Sequence, residues 1–425
     1  MLGQANLCIV RYRNLNDIAN ALSLPLDGCN EPVFGFAVDT RLLEPGQVFA
    51  ALPGEAHDGH QFLRQAADAK AAGALVSKGY RGENFGLSLL RVGDPLAALQ
   101  ALAGKAAEKS RIIGVTGSVG KTTCKEFIVE LLRGKFKVAL SPGNQNTKIG
   151  LPLSILNHSG FGEDFLVLEM GMSKKGEIAA LTRIAPPEIA LVTYVSLAHA
   201  ENFDSLEEIA MAKGEIFTHP KTRLGILPEE VCCKKILMET GTCEKRTFSS
   251  RLEFDSFPLK ARHHKHNAQA AIEVAKACGM KCDEIGRRLP LLKMPKRRGE
   301  VVEKGGIRFV DDSYNASPDS MKAALESLPS PGPGGKRIAV LGEMLELGRF
   351  SESAHLEVGN CALDHVDRLF CFGPSYEILK NRGAVVSGNK QELIELLKSD
   401  AASGDVVLLK GSNSCKMWEI MDNFL

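Results

Sequence analysis

Short apolar runs recur along the chain, separated by longer stretches whose apolar positions return every third or fourth residue. The runs predict buried strands, and the stretches between them predict helices packed on those strands. From residue 1 to about 108, "GQVFAAL" (46–52) and "GALVSKG" (73–79) flank an Ala-rich helical segment, "QFLRQAADAKAAG". That pattern predicts a small α/β domain over 1–108. A second block, 109–294, opens with the strand "RIIGVTG" and a helix "KTTCKEFIVELLRGK", whose Phe127, Ile128, Leu131 and Leu132 fall on one side. Strands at "FLVLEMG" (165–171) and "EIALVTYV" (188–195) follow, alternating with "GEIAALTRIA" and "SLEEIAMAKGEIF". Such alternation predicts a mostly parallel sheet covered on both faces. The Pro-punctuated basic stretch "LPLLKMPKRRGEVV" (289–302) reads as an interdomain linker. Beyond it "IRFVDDS", "KRIAVLGEM", "RLFCFG" and "DVVLLKGS" predict a second doubly wound sheet over 295–425, with "LPSPGPGGK" (328–336) as a surface loop. The expected fold class is therefore α/β in three domains: a small substrate domain, a central parallel-sheet domain of the P-loop ATPase kind, and a C-terminal Rossmann-like domain.

Composition narrows the function classes. A chain of 425 residues has room for roughly two to four domains with buried cores. The formal charge of +1 supplies no electrostatic reason for a nucleic-acid partner or an acidic membrane surface. No basic leader and no apolar run of about 18 residues stand in the sequence, so a cytoplasmic protein without membrane insertion is expected. Eleven cysteines are scattered with no CxxC pair, which fits reduced thiols.

Chemistry concentrates first at "IIGVTGSVGKTTCKEF" (112–127). A strand, a glycine loop and a helix N-terminus make a phosphate cradle, because backbone N–H groups converge there and glycines admit the anion closely. Gly117 and Gly120 supply that freedom, Lys121 can reach the β and γ phosphates, and the Thr122 hydroxyl can sit on Mg²⁺. The usual nucleotide loop, however, has a glycine where this chain has Val115. Three further groups stand at strand exits or on the helices that follow: Glu169, His199 and Lys213. Singly, each residue type has a more ordinary use, as a helix cap, a hydrogen-bonded histidine or a solvated lysine. Behind a phosphate loop they become candidates to hold metal and neutralise a transferring phosphoryl group.

The wording around these residues resembles a family. "GVTGSVGKTT", "GNQNTKIGLPLSIL", "LEMGMSKKGEIAALTRIAPPEIALVTYVSLAHAENFDSLEEIAMAKGEIF", "DDSYNASPDSM" and "VLGEMLELG" are, in this order, similar to the Mur ligases, and among them to the members that add D-alanyl-D-alanine. The family's loop runs "TGxxGKTT", as Thr116 to Thr123 do here, so no glycine is missing. The resemblance implies a reaction in which ATP phosphorylates the terminal carboxylate of a UDP-N-acetylmuramoyl-tripeptide, and the amine of D-alanyl-D-alanine attacks the acyl phosphate. It implies two Mg²⁺ ions, one held by Thr122 and Glu169 and one helped by His199. It also implies carbamylation of Lys213, which turns a cation into an oxygen ligand. Lys121, Lys213 and His199 are then the catalytic candidates, and Gly117, Gly120, Thr122, Thr123, Asn267, Arg298 and Asp312 the nucleotide candidates. "DTR" and "DGH" place Asp39, Thr40, Arg41, Asp58 and His60 at the UDP-sugar end, and Asn144, Asn146, Tyr314 and Asn315 complete the substrate set. The family is generally monomeric.

The alternatives are another member of the superfamily, adding diaminopimelate, lysine or glutamate, or a nucleotide-switched binding protein. The "DTR…DGH" and "DDSYNASP…VLGEMLELG" segments favour the dipeptide-adding members. Five positions differ from the family's usual residues: Thr147, Tyr194 and Ser317 replace asparagine, Ala261 replaces glycine, and Asn413 replaces arginine after "KGS". The cluster His263, His264 and His266 is not expected to converge on a metal, because adjacent side chains flanked by basic residues point apart.

Overall fold

The computed structural model describes residues 12–25, 30–54, 57–159, 162–197, 200–254, 256–259 and 261–424. Three sheets follow one another along the chain. The first has β1 (Gly35–Ala37), β2 (Gln47–Ala50), β3 (Gly73–Ser77) and β4 (Leu89–Val92) in sequential, parallel order. The second has β5 (Arg111–Thr116), β6 (Val138–Leu140), β7 (Phe165–Glu169), β8 (Ile189–Val192), β9 (Leu224–Pro228) and β10 (Glu244–Phe248), all parallel, in the order β10-β9-β8-β5-β7-β6. The third has β11 (Glu300–Lys304), β12 (Ile307–Asp311), β13 (Arg337–Gly342), β14 (Arg368–Phe372), β15 (Val385–Ser387) and β16 (Val406–Lys410) in the order β11-β12-β16-β13-β14-β15. Only the edge strand β11 runs antiparallel there.

The burial pattern explains the runs. β7, β8, β9 and β16 are buried at every position, as strands covered by helices on both faces must be. On the helix Lys121–Leu132, Phe127, Ile128, Leu131 and Leu132 are all buried. The Ala-rich helix, in contrast, ends at Asp68 rather than running to Gly73. Lys70 adopts a left-handed conformation (φ 61), and the Ala71 N–H turns back to the Ala66 carbonyl. The turn lets the chain re-enter as β3, so the sheet overrides alanine's helix propensity. The last residues of the basic linker stretch are likewise already strand, as β11 begins at Glu300.

The first two sheets share one hydrophobic core. Phe36, Val48 and Leu75 of the first belong to the same cluster as Leu166, Leu168 and Ala190 of the second, through Leu99 and Leu102 of the connecting helix Pro95–Ala107. The Asn157 amide closes the junction by accepting from Phe36 N (2.8 Å) and donating to Phe36 O (2.9 Å). The third sheet instead has its own cores on its two faces. No helix among the described residues is long and apolar enough to cross a membrane.

Candidate active site

β5 lies at the centre of the second sheet, between β7 and β8, where the strand order reverses. Open α/β sheets place ligands beyond the carboxyl ends of strands at such a reversal. The glycine loop emerges there, flanked by the exits of β7 and β8. Gly120 has φ 82, and an added Cβ would stand 2.5 Å from Asn267 Oδ1; one on Gly117 would collide with Thr193 Oγ1. Only glycine fits these two places. The first N–H groups of the helix Lys121–Leu132 have no partner within it and face the cleft. Lys121 Nζ donates to the Gly117 carbonyl (2.8 Å), which folds its side chain back over the loop. Burial pushes its ammonium pKa down, against the pull of Glu169 and with the push of Arg298.

Thr122 and Glu169 form the centre of the site. The Thr122 hydroxyl donates to Glu169 Oε2 (2.7 Å) and accepts from Arg298 Nη2 (2.9 Å). Asn146 Nδ2 donates to Glu169 Oε1 (2.8 Å). Arg298 arrives from the far side of the cleft, its guanidinium 3.9 Å above the Tyr314 ring. Glu169 is 2% exposed and Thr122 6%. A buried hydroxyl and carboxylate side by side are hard oxygen donors of the kind Mg²⁺ takes, so the residues present fit one such ion.

Lys213, on the helix Leu206–Gly214, does not line the cleft. It is 1% exposed, and burial together with Lys121 pushes its ammonium pKa well below the ordinary value. No acid among the described residues holds it up. His199 lies outside the described residues.

The third sheet supplies the opposite wall. Asp312 follows β12 and Lys410 ends β16, so the adjacency of these strands brings the two side chains together. Lys410 Nζ donates to Asp312 Oδ2 (2.6 Å) and to the Asn315 carbonyl (3.0 Å). Asn413 Nδ2 donates to the Tyr314 carbonyl (2.9 Å), which gives the residue standing for the usual arginine a definite use. Between the walls runs a cleft of about 1490 Å³, lined by Gly120, Lys121, Thr122, Thr123, Asn144, Asn146, Glu169, Asn267, Arg298, Asp312, Tyr314 and Asn315 among others. His263 and His264 line it too, and burial pushes their pKa values down to about 4 and about 3.

The remaining substrate candidates lie apart, in the first sheet. Asp39 is paired with Arg41 (2.6 Å), which pulls its carboxyl down to about 2. Thr40 Oγ1 donates to Gln65 (2.9 Å). His60 Nε2 accepts from the Ser77 N–H (3.0 Å), so the imidazole carries its proton on Nδ1 and donates to Asp58 Oδ1 (2.6 Å). Both ring nitrogens are thus used within the domain and the buried ring stacks on Tyr80, while the Asp58 side chain is exposed. Two residues escaped the reading of the sequence: Lys410, signalled only by a cation that closes a wholly apolar strand, and Lys125, discussed below.

The Mur ligase middle domain matches residues 115–287, and the Mur ligase, glutamate ligase domain matches residues 297–413. A UDP-N-acetylmuramoyl-tripeptide--D-alanyl-D-alanine ligase of Bacillus subtilis is 34% identical, over 92% of this chain and 93% of its own. The chain belongs to the Mur ligase family. Its Escherichia coli relative of the same name is 32% identical over 96% of this Mur ligase and 97% of that protein. Among solved structures, the MurF ligase of Thermotoga maritima in complex with ADP superposes with a TM-score of 0.79 at 30% identity, covering 92% and 96% of the two chains. The Acinetobacter baumannii MurF shares the fold, with a TM-score of 0.86 at 24% identity and coverage of 98% and 99%.

Proposed function

We propose that this Mur ligase joins D-alanyl-D-alanine to a UDP-N-acetylmuramoyl-tripeptide at the expense of ATP, in the assembly of peptidoglycan precursors. The observation that carries the reading is the facing of two strand-end walls across one cleft. One wall holds a phosphate cradle and the Thr122–Glu169 pair, the other holds Arg298, Asp312 and Tyr314. The full-length likeness to ligases of that name supports the substrate pair.

In this reading the chain divides into units 1–108, 109–294 and 295–425, which take the UDP-sugar, ATP and the dipeptide. Asp39, Thr40, Arg41 and Asp58 bind the UDP end, with His60 fixing Asp58. Asn267, beside Gly120, meets the adenine, and Asp312 is brought toward the nucleotide by the third unit. Gly117, Gly120, Thr123 and the helix N-terminus cradle the phosphates. Lys121 and Arg298 hold positive charge between the γ-phosphate and the tripeptide carboxylate, two anions that repel unless neutralised. Once the carboxylate is phosphorylated, Asn144, Asn146, Tyr314 and Asn315 orient acyl phosphate and amine for attack, and closure of the third unit excludes water. Mg²⁺ at Thr122 and Glu169 would screen the β and γ phosphate charge; a second ion would need His199 and a carbamylated Lys213. The separate core of the third sheet suits a unit that closes as a body, and a monomer is the expected state, as in the family generally. Nucleotide substrates fit a cytoplasmic site.

A coupled ADP-release assay tests the reading. ADP should appear in proportion to product only when UDP-tripeptide and D-alanyl-D-alanine are both present. Release that ignores the dipeptide would identify a nucleotide-switched protein instead.

A further inference from the structure

Lys125 is wholly buried, at 0% exposure, and burial pushes its ammonium pKa down, against the pull of Glu169 and Glu126. On the helix Lys121–Leu132 it falls at helical spacing from Ile128, Val129 and Leu132, all buried, so it occupies the apolar face. A leucine there would continue the row, whereas burying an amine costs it its hydration. The structure answers that cost with two backbone carbonyls. Lys125 Nζ donates to Ser141 O (2.5 Å) and to Gly143 O (2.9 Å), the second presented by a glycine at φ 54. Glu126, 3.8 Å away and part-exposed, is a weak counter-charge, and the buried Glu169 pulls on the ammonium more strongly.

The carbonyls belong to the segment that carries the asparagines. Ser141 N donates to Val167 O (3.1 Å), and Ser141 Oγ accepts from Glu169 N (3.1 Å). At the other end, Asn146 O accepts from Gly171 N (2.9 Å), while its side chain holds Glu169 Oε1. Segment 141–146 thus embraces Glu169 from both sides, and Lys125 pins its middle to the same helix that carries Thr122. The segment has no helix or strand of its own to hold it, so a point anchor has to do so.

We propose that Lys125 is a positioning residue for the phosphate site: with Ser141 it forms a clasp that fixes the asparagine segment, and through it the Glu169 carboxylate, against Thr122. The inference rests on the proposed function for the use of that pair, and it assigns the pair's alignment to a lysine that does not line the cleft.

The test is Mn²⁺ binding in the presence of ADP, read from the loss of the free-ion EPR signal, on the full chain. Lys125→Met should weaken Mn²⁺ binding by about tenfold or more, as outer-shell partners of a metal ligand do. Ser141→Ala, which removes the hydroxyl that meets Glu169 N, should shift it in the same direction. Ile128→Val, a cavity in the same buried row, should lower thermal stability and leave Mn²⁺ binding at the parent value. Parent-like Mn²⁺ binding in Lys125→Met overturns the proposal, as does an equal loss in Ile128→Val. If Lys125→Met does not fold, Ser141→Ala decides by the same criterion. A parent protein that binds Mn²⁺ with ADP but makes no product with D-alanyl-D-alanine would refute the proposed reaction and leave the clasp standing; one that binds neither refutes both.

Discussion

Replacing Lys213 with methionine should leave the protein more stable and without activity. The amine is buried, its ammonium is disfavoured by burial and by Lys121, and no acid among the described residues compensates it. In the unfolded chain the same amine is protonated below its ordinary value of 10.5. Folding must therefore either shed that proton or bury the charge, and either course costs stability, on the order of several kcal/mol for a buried ammonium. Methionine has nearly the same length and no proton to lose, so the variant recovers part of that cost; about 1 to 3 kcal/mol is expected after imperfect repacking. If the lysine serves the reaction as a carbamate, the same change removes a ligand anion, and turnover should fall by about 10³-fold or more, roughly 4 kcal/mol of transition-state stabilisation. Urea denaturation in buffer freed of carbon dioxide reads the first effect, and coupled ADP release reads the second. Short carboxylic acids should restore part of the activity in Lys213→Ala, where the truncated side chain leaves them room. A methionine variant that is less stable than the parent and still turns over would refute the reasoning, since Lys213 would then be a satisfied structural residue.

Other consequences can be checked as directly. Glu169→Gln keeps the shape but offers an amide where Thr122 and Asn146 both donate, so the Mg²⁺ concentration for half-maximal ADP formation should rise about 10- to 100-fold. Arg298→Lys loses the stacking on Tyr314 and the directed bond to Thr122, and kcat/KM for ATP should fall by about one to two orders of magnitude. Gly120→Ala forces a Cβ onto a left-handed residue beside Asn267; about 1 to 2 kcal/mol of stability should be lost in urea, with a raised KM for ATP. For His264, burial lowers the folded value from 6.5 to about 3, so the unfolded state takes up a proton the folded state refuses. Stability then falls as pH drops through that window, by up to about 1.4 kcal/mol per unit, and His264→Gln should show a shallower acid limb in denaturation midpoints.

The sequence disclosed half of the central sheet, because doubly covered strands are continuous apolar runs: "RIIGVTG", "FLVLEMG" and "EIALVTYV" became β5, β7 and β8, whereas the short β6 and the glycine- and proline-bearing β9, "LGILP", escaped. The edge strand β10, "EKRTF", escaped because an edge has few apolar positions to show, and only Phe248 is buried. Among site residues, the loop glycines, Thr122 and Glu169 were legible since they follow strands whose exits define a ligand crevice. The engagement of Thr122 by Arg298 was not, because it joins residues 176 positions apart across two sheets. Nor was the burial of Lys125, although its place in the apolar row was open to view; charge outweighs spacing when a helix face is read by eye. His60 shows the opposite case: the "DGH" wording was plain, yet only the geometry reveals that both ring nitrogens are used inside the domain.

The last strand of the third sheet is also its middle. β16, Val406–Lys410, inserts between β12 and β13, which precede it by some 65 to 95 residues of chain. During synthesis the first two sheets can pack on their common core early, but β12 and β13 have no shared neighbour until residue 410 has emerged. The arginine and aspartate of the far wall therefore stay unplaced until β16 has been made. A ribosome-bound chain can thus present a formed phosphate loop with no second wall to answer it, and the ability to commit ATP arrives late in the making of the enzyme.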